Sequence, residues 1–184
     1  MEPDLGRFAN FIDGAYLQNL LAAFGKPKVD FEKLAIHMAA GCERLRTYYY
    51  DCMPYQSNPP TAEEAERFGK KQRFIAALGH YSRLQPRLGR LERRGERGDG
   101  TPIFQQKRVD ILLGVDLAIL AAKHQITDAA ILAGDSDFLP AIEAAKPEGV
   151  VIHLFHGANA HRDLLQAADE CTPIDEGFIA AIKA

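Results

Sequence analysis

A chain of 184 residues with a formal net charge of −3 fits one domain. At 47% hydrophobic and 26% charged residues, it can bury a core, which excludes a disordered chain. The three cysteines, Cys42, Cys52 and Cys171, are too few and too widely spaced for a disulfide framework or a CxxC zinc knuckle. No apolar run reaches the ~18 residues of a membrane span. The start, Met1-Glu2-Pro3-Asp4, lacks a basic segment followed by an apolar one. The expectation is a cytoplasmic protein without a membrane partner. A net negative charge argues against nucleic-acid binding unless the basic residues are clustered, and here they are.

Arg7 to Ile12 reads as a short strand ending at Asp13-Gly14. Ala15 to Phe24 reads as a helix stopped by Gly25-Lys26-Pro27. Asp30 suits the cap of a helix reaching Ala40. Arg44 to Asp51, rich in Thr and Tyr, reads as a second strand. A proline-rich loop follows, and Thr61 with Glu64 forms a capping box for a helix to about Leu78. Ser82 to Gln106 is Arg- and Gly-rich and suggests a strand with a flexible hairpin. A long helix spans Lys107 to His124. Ala129 to Ala133 is a buried strand, Ser136 to Lys146 a helix with Pro140 in its first turn, and Val150 to Phe155 another apolar strand. Short helices are expected over Ala160 to Ala168 and Glu176 to Ile182. Apolar strands alternating with helices predict a mainly parallel sheet covered on both faces. In such folds the ligand site lies beyond the carboxyl ends of the strands.

Acidic residues fall at that place. Phe11-Ile12-Asp13-Gly14 puts Asp13 just past strand one. Ile131-Leu132-Ala133-Gly134-Asp135-Ser136-Asp137 puts Asp135 and Asp137 just past a later strand. Either aspartate could simply cap the next helix, but two apolar strands ending alike favour a shared site. Asp110 lies in the first turn of an apolar helix. Asp116 is about 240° from it around that helix, so Asp110 is assigned to the site and Asp116 to its surroundings. Gathered carboxylates raise one another's pKa, and a cation relieves that. All-oxygen ligation favours a hard ion, Mg²⁺ or Mn²⁺, able to activate water beside a phosphoryl group.

The order FIDG, then Lys107-Arg108-Val109-Asp110 on a helix, then AGDSDF, resembles the NYN domains of the LabA-like group, in the PIN-like nuclease superfamily. The resemblance runs from about Phe8 to Phe155. It implies a Rossmann-like three-layer α/β/α sandwich of PIN-like topology, one domain over residues 1–184, and a metal-dependent ribonuclease with RNA as partner. By motif, Asp13, Asp110 and Asp135 match the principal acids and metal ligands, Asp137 matches a further catalytic acid, and Asp116 an acid common in the group. One departure stands out: the family follows its first Asp with Gly-x-Asn, whereas here Tyr16 takes the place of the Asn. Tyr16 and Ser136 are expected beside the ligands.

Arg90, Arg93 and Arg94, with Lys107 and Arg108 beside Asp110, are candidate phosphate contacts. The alternative is a solvated loop balanced by Glu92 and Glu96. Tyr48, Tyr49 and Tyr50 read as core rather than as a base-stacking surface. His153, His156 and His161 lack metal-pair spacing. Gly134-Asp135-Ser136 only partly matches an esterase motif, and Ala15 stands where a haloacid-dehalogenase phosphatase needs a second Asp. A non-catalytic RNA-binding or regulatory module on the same fold is the main alternative, and homo-oligomerisation is left open.

Overall fold

The structure, a computed structural model, describes residues 6–96, 98–100, 102–107 and 109–184, and only the backbone of residues 90, 92, 93, 102 and 104–107. Seven strands form one sheet: β1 (Arg7–Asp13), β2 (Glu43–Cys52), β3 (Leu84–Glu96), β4 (Pro102–Lys107), β5 (Asp128–Leu132), β6 (Val151–His156) and β7 (Glu170–Pro173), in the order β4-β3-β2-β1-β5-β6-β7. All neighbours are parallel except β3 and β4. The helices are α1 (Gly14–Ala23), α2 (Phe31–Met38), α3 (Ala62–Leu78), α4 (Val109–Ala122), α5 (Leu139–Ala145), α6 (Arg162–Ala167) and α7 (Glu176–Ile182).

The sheet separates two cores, because successive strand residues face opposite ways. Ala9 and Phe11 of β1 join Leu113, Leu117, Ile142 and Leu164 on the face carrying α4, α5 and α6. Phe8 and Ile12 join Leu17, Leu34, Leu78 and Phe178 on the face carrying α1, α2, α3 and α7. This is the three-layer α/β/α architecture expected from the alternating pattern.

The topology dictates where a site can form. From β1 the chain winds outward through β2 and β3, then crosses to β5 on the other side of β1. The winding therefore reverses between β1 and β5, and the crevice at their carboxyl ends is the switch point where ligands bind in such sheets. Pairing of β2 with β3 ends at Cys52 and Gly89, and β3 continues from Arg90 as a two-stranded ribbon with β4. The arginine-rich segment thus extends past the same carboxyl edge. The hairpin returns to that edge at Lys107, the last residue of β4, and not, as the sequence suggested, the first of a helix; α4 begins at Val109.

The predicted elements are present with local differences. The capping box forms as read: Thr61 Oγ1 accepts from Glu64 N at 3.2 Å and Thr61 N donates to Glu64 Oε2 at 2.9 Å. The helix expected from Ser136 begins instead as a short 3-10 turn, Ser136–Phe138, capped by Asp135. The helix expected to reach Ala40 stops at Met38, and Ala40 and Gly41 turn the chain with φ of 49° and 76°. Strand β7 was not anticipated.

The segment forming α4 is apolar almost all round, so periodicity could not choose its buried face. Packing selects Leu113, Leu117, Leu120 and Ala121 and leaves Ile111, Val115 and Ile119 exposed. Leu117→Ala should therefore lose about 2–5 kcal/mol of stability, whereas Ile119→Ala, two positions on, should stay within about 0.5 kcal/mol. Chemical denaturation of both variants checks this, and equal losses would mean that the face is wrongly assigned.

Candidate active site

Asp13 ends β1 and begins α1 in one step. Its Oδ1 accepts from Ala15 N at 3.0 Å and Tyr16 N at 3.1 Å, so the residue caps α1 while facing the switch point. Asp135 does the same beyond β5, its Oδ1 accepting from Asp137 N at 3.2 Å. Ile12 pairs with Leu132, so Asp13 follows that last pair by one residue on β1 and Asp135 by three beyond β5, both past the same edge of neighbouring strands. Asp110 approaches from the start of α4. Capping and convergence on one edge therefore coexist.

The electrostatics couple these groups. Burial, followed by the charges of Asp110 and Asp51, pushes the Asp13 carboxyl up to about 6 against the stabilising backbone N–H bonds. Asp110 is also raised, by desolvation first and then by Asp137 and Asp135. The coupled set thus contains Asp13, Asp51, Asp110, Asp135 and Asp137. Among the described residues no three His, Cys, Asp or Glu side chains stand close enough to form a ready-made metal cage. The expected approach of Asp13, Asp110 and Asp135 to ligand distance is therefore not present as such. They sit on separate elements and repel one another, so they feel each other's charge without closing together. The donor chemistry nevertheless fits a hard divalent cation: it is all carboxylate oxygen, and two members hold their protons unusually tightly.

Asp51 is the member that sequence reading missed. It lies one residue past the partner of Asp13 on β2 and is 4% exposed. Lys71 of α3 forms an ion pair with its Oδ2, and Gln18 reaches the same oxygen at 3.4 Å. The usable signal was the one that found Asp13, an apolar strand ending in Asp: Tyr48-Tyr49-Tyr50-Asp51.

Tyr16, in the first turn of α1, takes a bracing position. Its hydroxyl accepts from Gly157 N at 2.8 Å, and its ring lies so close to Gly134 that a Cβ there would come within 2.2 Å of Cε2. Ser136 begins the 3-10 turn between Asp135 and Asp137 and is half-buried. Asp116 is elsewhere, a correction to its placement around the site. Its carboxylate takes Arg87 at 2.8 and 2.5 Å and the Tyr50 hydroxyl at 2.9 Å, because the helical period turns it toward β2 and β3. The histidines do not cluster: His153 bridges Asp128 and Glu170 at 2.8 and 3.0 Å, and His161 caps α6. Tyr49 and Tyr50 are core residues. Arg94 is exposed on β3. The side chains of Arg90, Arg93 and Lys107, and all of Arg108, lie outside the described residues.

The fold and this edge define a doubly wound α/β domain with an acidic centre at its switch point. The NYN domain family model matches residues 7–175, and the chain belongs to that family of PIN-like nucleases. No curated protein matches it. Among solved structures it is similar to a Vibrio parahaemolyticus protein described as of unknown function, at 15% identity and a TM-score of 0.63, with 100% of each chain covered. At that identity the likeness concerns the fold alone.

The raised pKa of Asp13 has a definite sign in stability. Its contribution is fully present below the unfolded value near 3.8 and is lost as pH rises through about 6. The loss amounts to at most about 3 kcal/mol. Asn caps a helix as well as Asp, so Asp13→Asn removes the charge and keeps the cap. In chelator-containing buffer, the melting temperature of the variant relative to the native chain should rise between pH 4.5 and 7.5. A difference independent of pH would show that Asp13 is not the strained carboxylate.

Proposed function

We propose that this chain is a metal-dependent ribonuclease that hydrolyses phosphodiester bonds in RNA. The observation that carries the reading is the delivery of Asp13, Asp110 and Asp135 to one edge of the sheet by β1, α4 and the turn after β5, with burial and then Asp110 raising Asp13 to about 6 and Asp135 adding to the rise of Asp110. Strain of this kind is hard to explain as capping, since a lone cap gains from ionisation. Asp13, Asp110 and Asp135 would hold Mg²⁺ or Mn²⁺, and Asp137 a second ion or a water. Bound there, the ion supplies a Lewis acid that lowers the pKa of water and neutralises charge on the phosphoryl group. The residues do the rest. Asp13 must give up its proton to act as a ligand, so cation affinity should rise through the pH range around 6. Lys71 holds Asp51 in place beside it. Tyr16 holds together the loops after β5 and β6 through Gly134 and Gly157. The ribbon β3–β4, passing beyond the same edge, would carry Arg90, Arg93 and Arg94 to the phosphate backbone, with Lys107 and Arg108 at its return.

A non-catalytic RNA-binding module is favoured by one observation, Tyr16 in place of the family's Asn with its hydroxyl engaged by Gly157. Cleavage assays separate the two readings. Asp135→Asn should lower RNA cleavage by at least about 100-fold, the scale of losing one electrostatic group at a reacting centre, with melting temperature equal or higher. Full activity in that variant, or no Mg²⁺- or Mn²⁺-dependent cleavage by the native chain, would exclude the nuclease reading.

Replacement of Arg90, Arg93 and Arg94 by Ala should weaken RNA binding several-fold. Each lost phosphate contact should reduce the slope of log affinity against log salt by about 0.7. Binding isotherms at several salt concentrations test this, and identical slopes would send RNA to another face.

A further inference from the structure

A cavity lies beside the acidic edge. It has a volume of about 610 Å³ and opens between α1, α3 and the loop after β2, well inside the size range of small-ligand sites. Its floor is apolar and partly aromatic, with Leu17, Leu21, Phe31 and Phe74. Its polar groups are few and sorted by position. Gln18 and Asp51 stand on the side toward Asp13, and Arg67, Lys70 and Lys71 line the α3 side. Ala15, two residues after Asp13, and Leu91, at the base of the arginine ribbon, both line the wall. The cavity therefore bridges the two parts of the proposed RNA path.

We infer that this cavity takes one nucleotide of the RNA strand next to the bond that is cut, its base against Phe74 and the apolar floor and its phosphate against Arg67 and Lys70. The inference rests on the ribonuclease reading and names its substrate contact. Four observations favour a nucleotide over another occupant. Phe74 offers an aromatic surface, and stacking on such a surface accepts any base. Gln18 is exposed and makes only long bonds, 3.4 Å to the Tyr49 hydroxyl and 3.4 Å to Asp51. Its amide can turn to meet a base edge with both a donor and an acceptor. Arg67 and Lys70 are exposed at the rim, Lys70 in a solvent-exposed pair with Glu66 at 2.6 Å that a phosphate could replace at little cost. Finally, Ala15 and Asp51 line the cavity, Ala15 lying two residues after Asp13 and Asp51 one residue past Tyr50, the β2 partner of Asp13, so the base and the scissile phosphate would belong to one strand.

Lys71 links the two regions. Its ammonium pairs with Asp51 and lies 5.7 Å from the centre of the Phe74 ring. It is thus a positioning residue that fixes the Asp51 carboxylate at the boundary between base cavity and acidic edge.

The test uses the full chain and named probes. Amide NMR titrations with the four nucleoside 5′-monophosphates, ribose 5-phosphate and inorganic phosphate locate binding. Two variants accompany them. Leu21→Trp fills the floor, and the double variant Arg67→Glu, Lys70→Glu changes only exposed residues and keeps the test valid if the first fails to fold. The inference expects nucleoside monophosphates to shift Ala15, Gln18 and Phe74 while the phosphate-only probes bind at least tenfold more weakly. It also expects both variants to raise KM for a short single-stranded RNA by roughly tenfold, with kcat changed less, the scale of losing one stacked base or its phosphate contacts. Equal binding of inorganic phosphate and nucleotide, binding only of apolar compounds, or an unaltered KM in the charge-reversed variant would overturn it. If nucleotides bind in the cavity but the native chain cleaves no RNA, the cavity stands and the nuclease reading falls. If RNA is cleaved and nucleotides do not bind there, the reverse holds.

Discussion

The arrangement of this domain turns on the crowding of negative charge at one edge of a sheet. Asp13, Asp51, Asp110, Asp135 and Asp137 are delivered by β1, β2, α4 and the turn after β5, and those around Asp13 and Asp110 raise their proton affinity. Such an arrangement opposes folding and persists only where the rest of the fold holds it in place. The hold comes from below. Phe11, Ile12, Ile131 and Leu132 run along the two central strands with no exposure and are packed from both faces. They cannot shift to relieve the charge without opening both cores.

Because β1 and β2 are neighbours whose side chains alternate, the acids at their ends are shared between the two faces. Asp13 follows the parity of Phe11 and meets α4 with Asp110, whereas Asp51 follows the parity of Tyr49 and meets α1 and α3. One side therefore brings Asp13 and Asp110 within reach of each other's charge. The other pairs a carboxylate with Lys71 and opens into an apolar cavity. A one-residue slip of β2 against β1 would exchange these surroundings. The bulge between Phe8 and Ala9, placed at the far end of the strand, leaves the register at Asp13 and Tyr50 intact.

The sequence made visible whatever depends on local pattern. Asp13 and Asp135 stood out because apolar strands end on them, and Thr61 because a capping box is local chemistry. Asp51 was hidden by three tyrosines that drew attention to stacking, although the strand-end rule applied equally to it. Strand β7, Glu-Cys-Thr-Pro, is exposed at every position. It carries no apolar signal and exists through edge pairing with β6. The buried face of α4 was illegible because the helix is apolar on nearly every side, and only its neighbours decide. Asp116 was read as part of the site's surroundings, yet its place on the helix turns it toward Arg87 and Tyr50.

Tyr16 shows how a departure from the family pattern can be absorbed. An Asn amide at that position could reach a water or a phosphate, but it could not span to the loop after β6. The tyrosine ring does so by lying over Gly134, its hydroxyl accepting from Gly157 N. That path requires Gly134 to have no side chain, since even a methyl would overlap the ring. The Gly before Asp135 thus serves the packing of Tyr16 as well as the turn, and the two residues must change together. The loops after β5 and β6 are thus tied beside Asp135 both by Tyr16 and by His161 N, which donates to Gly134 O at 3.0 Å. Where an Asn amide could bond outward, the Tyr16 hydroxyl is taken up inside the fold by Gly157 N.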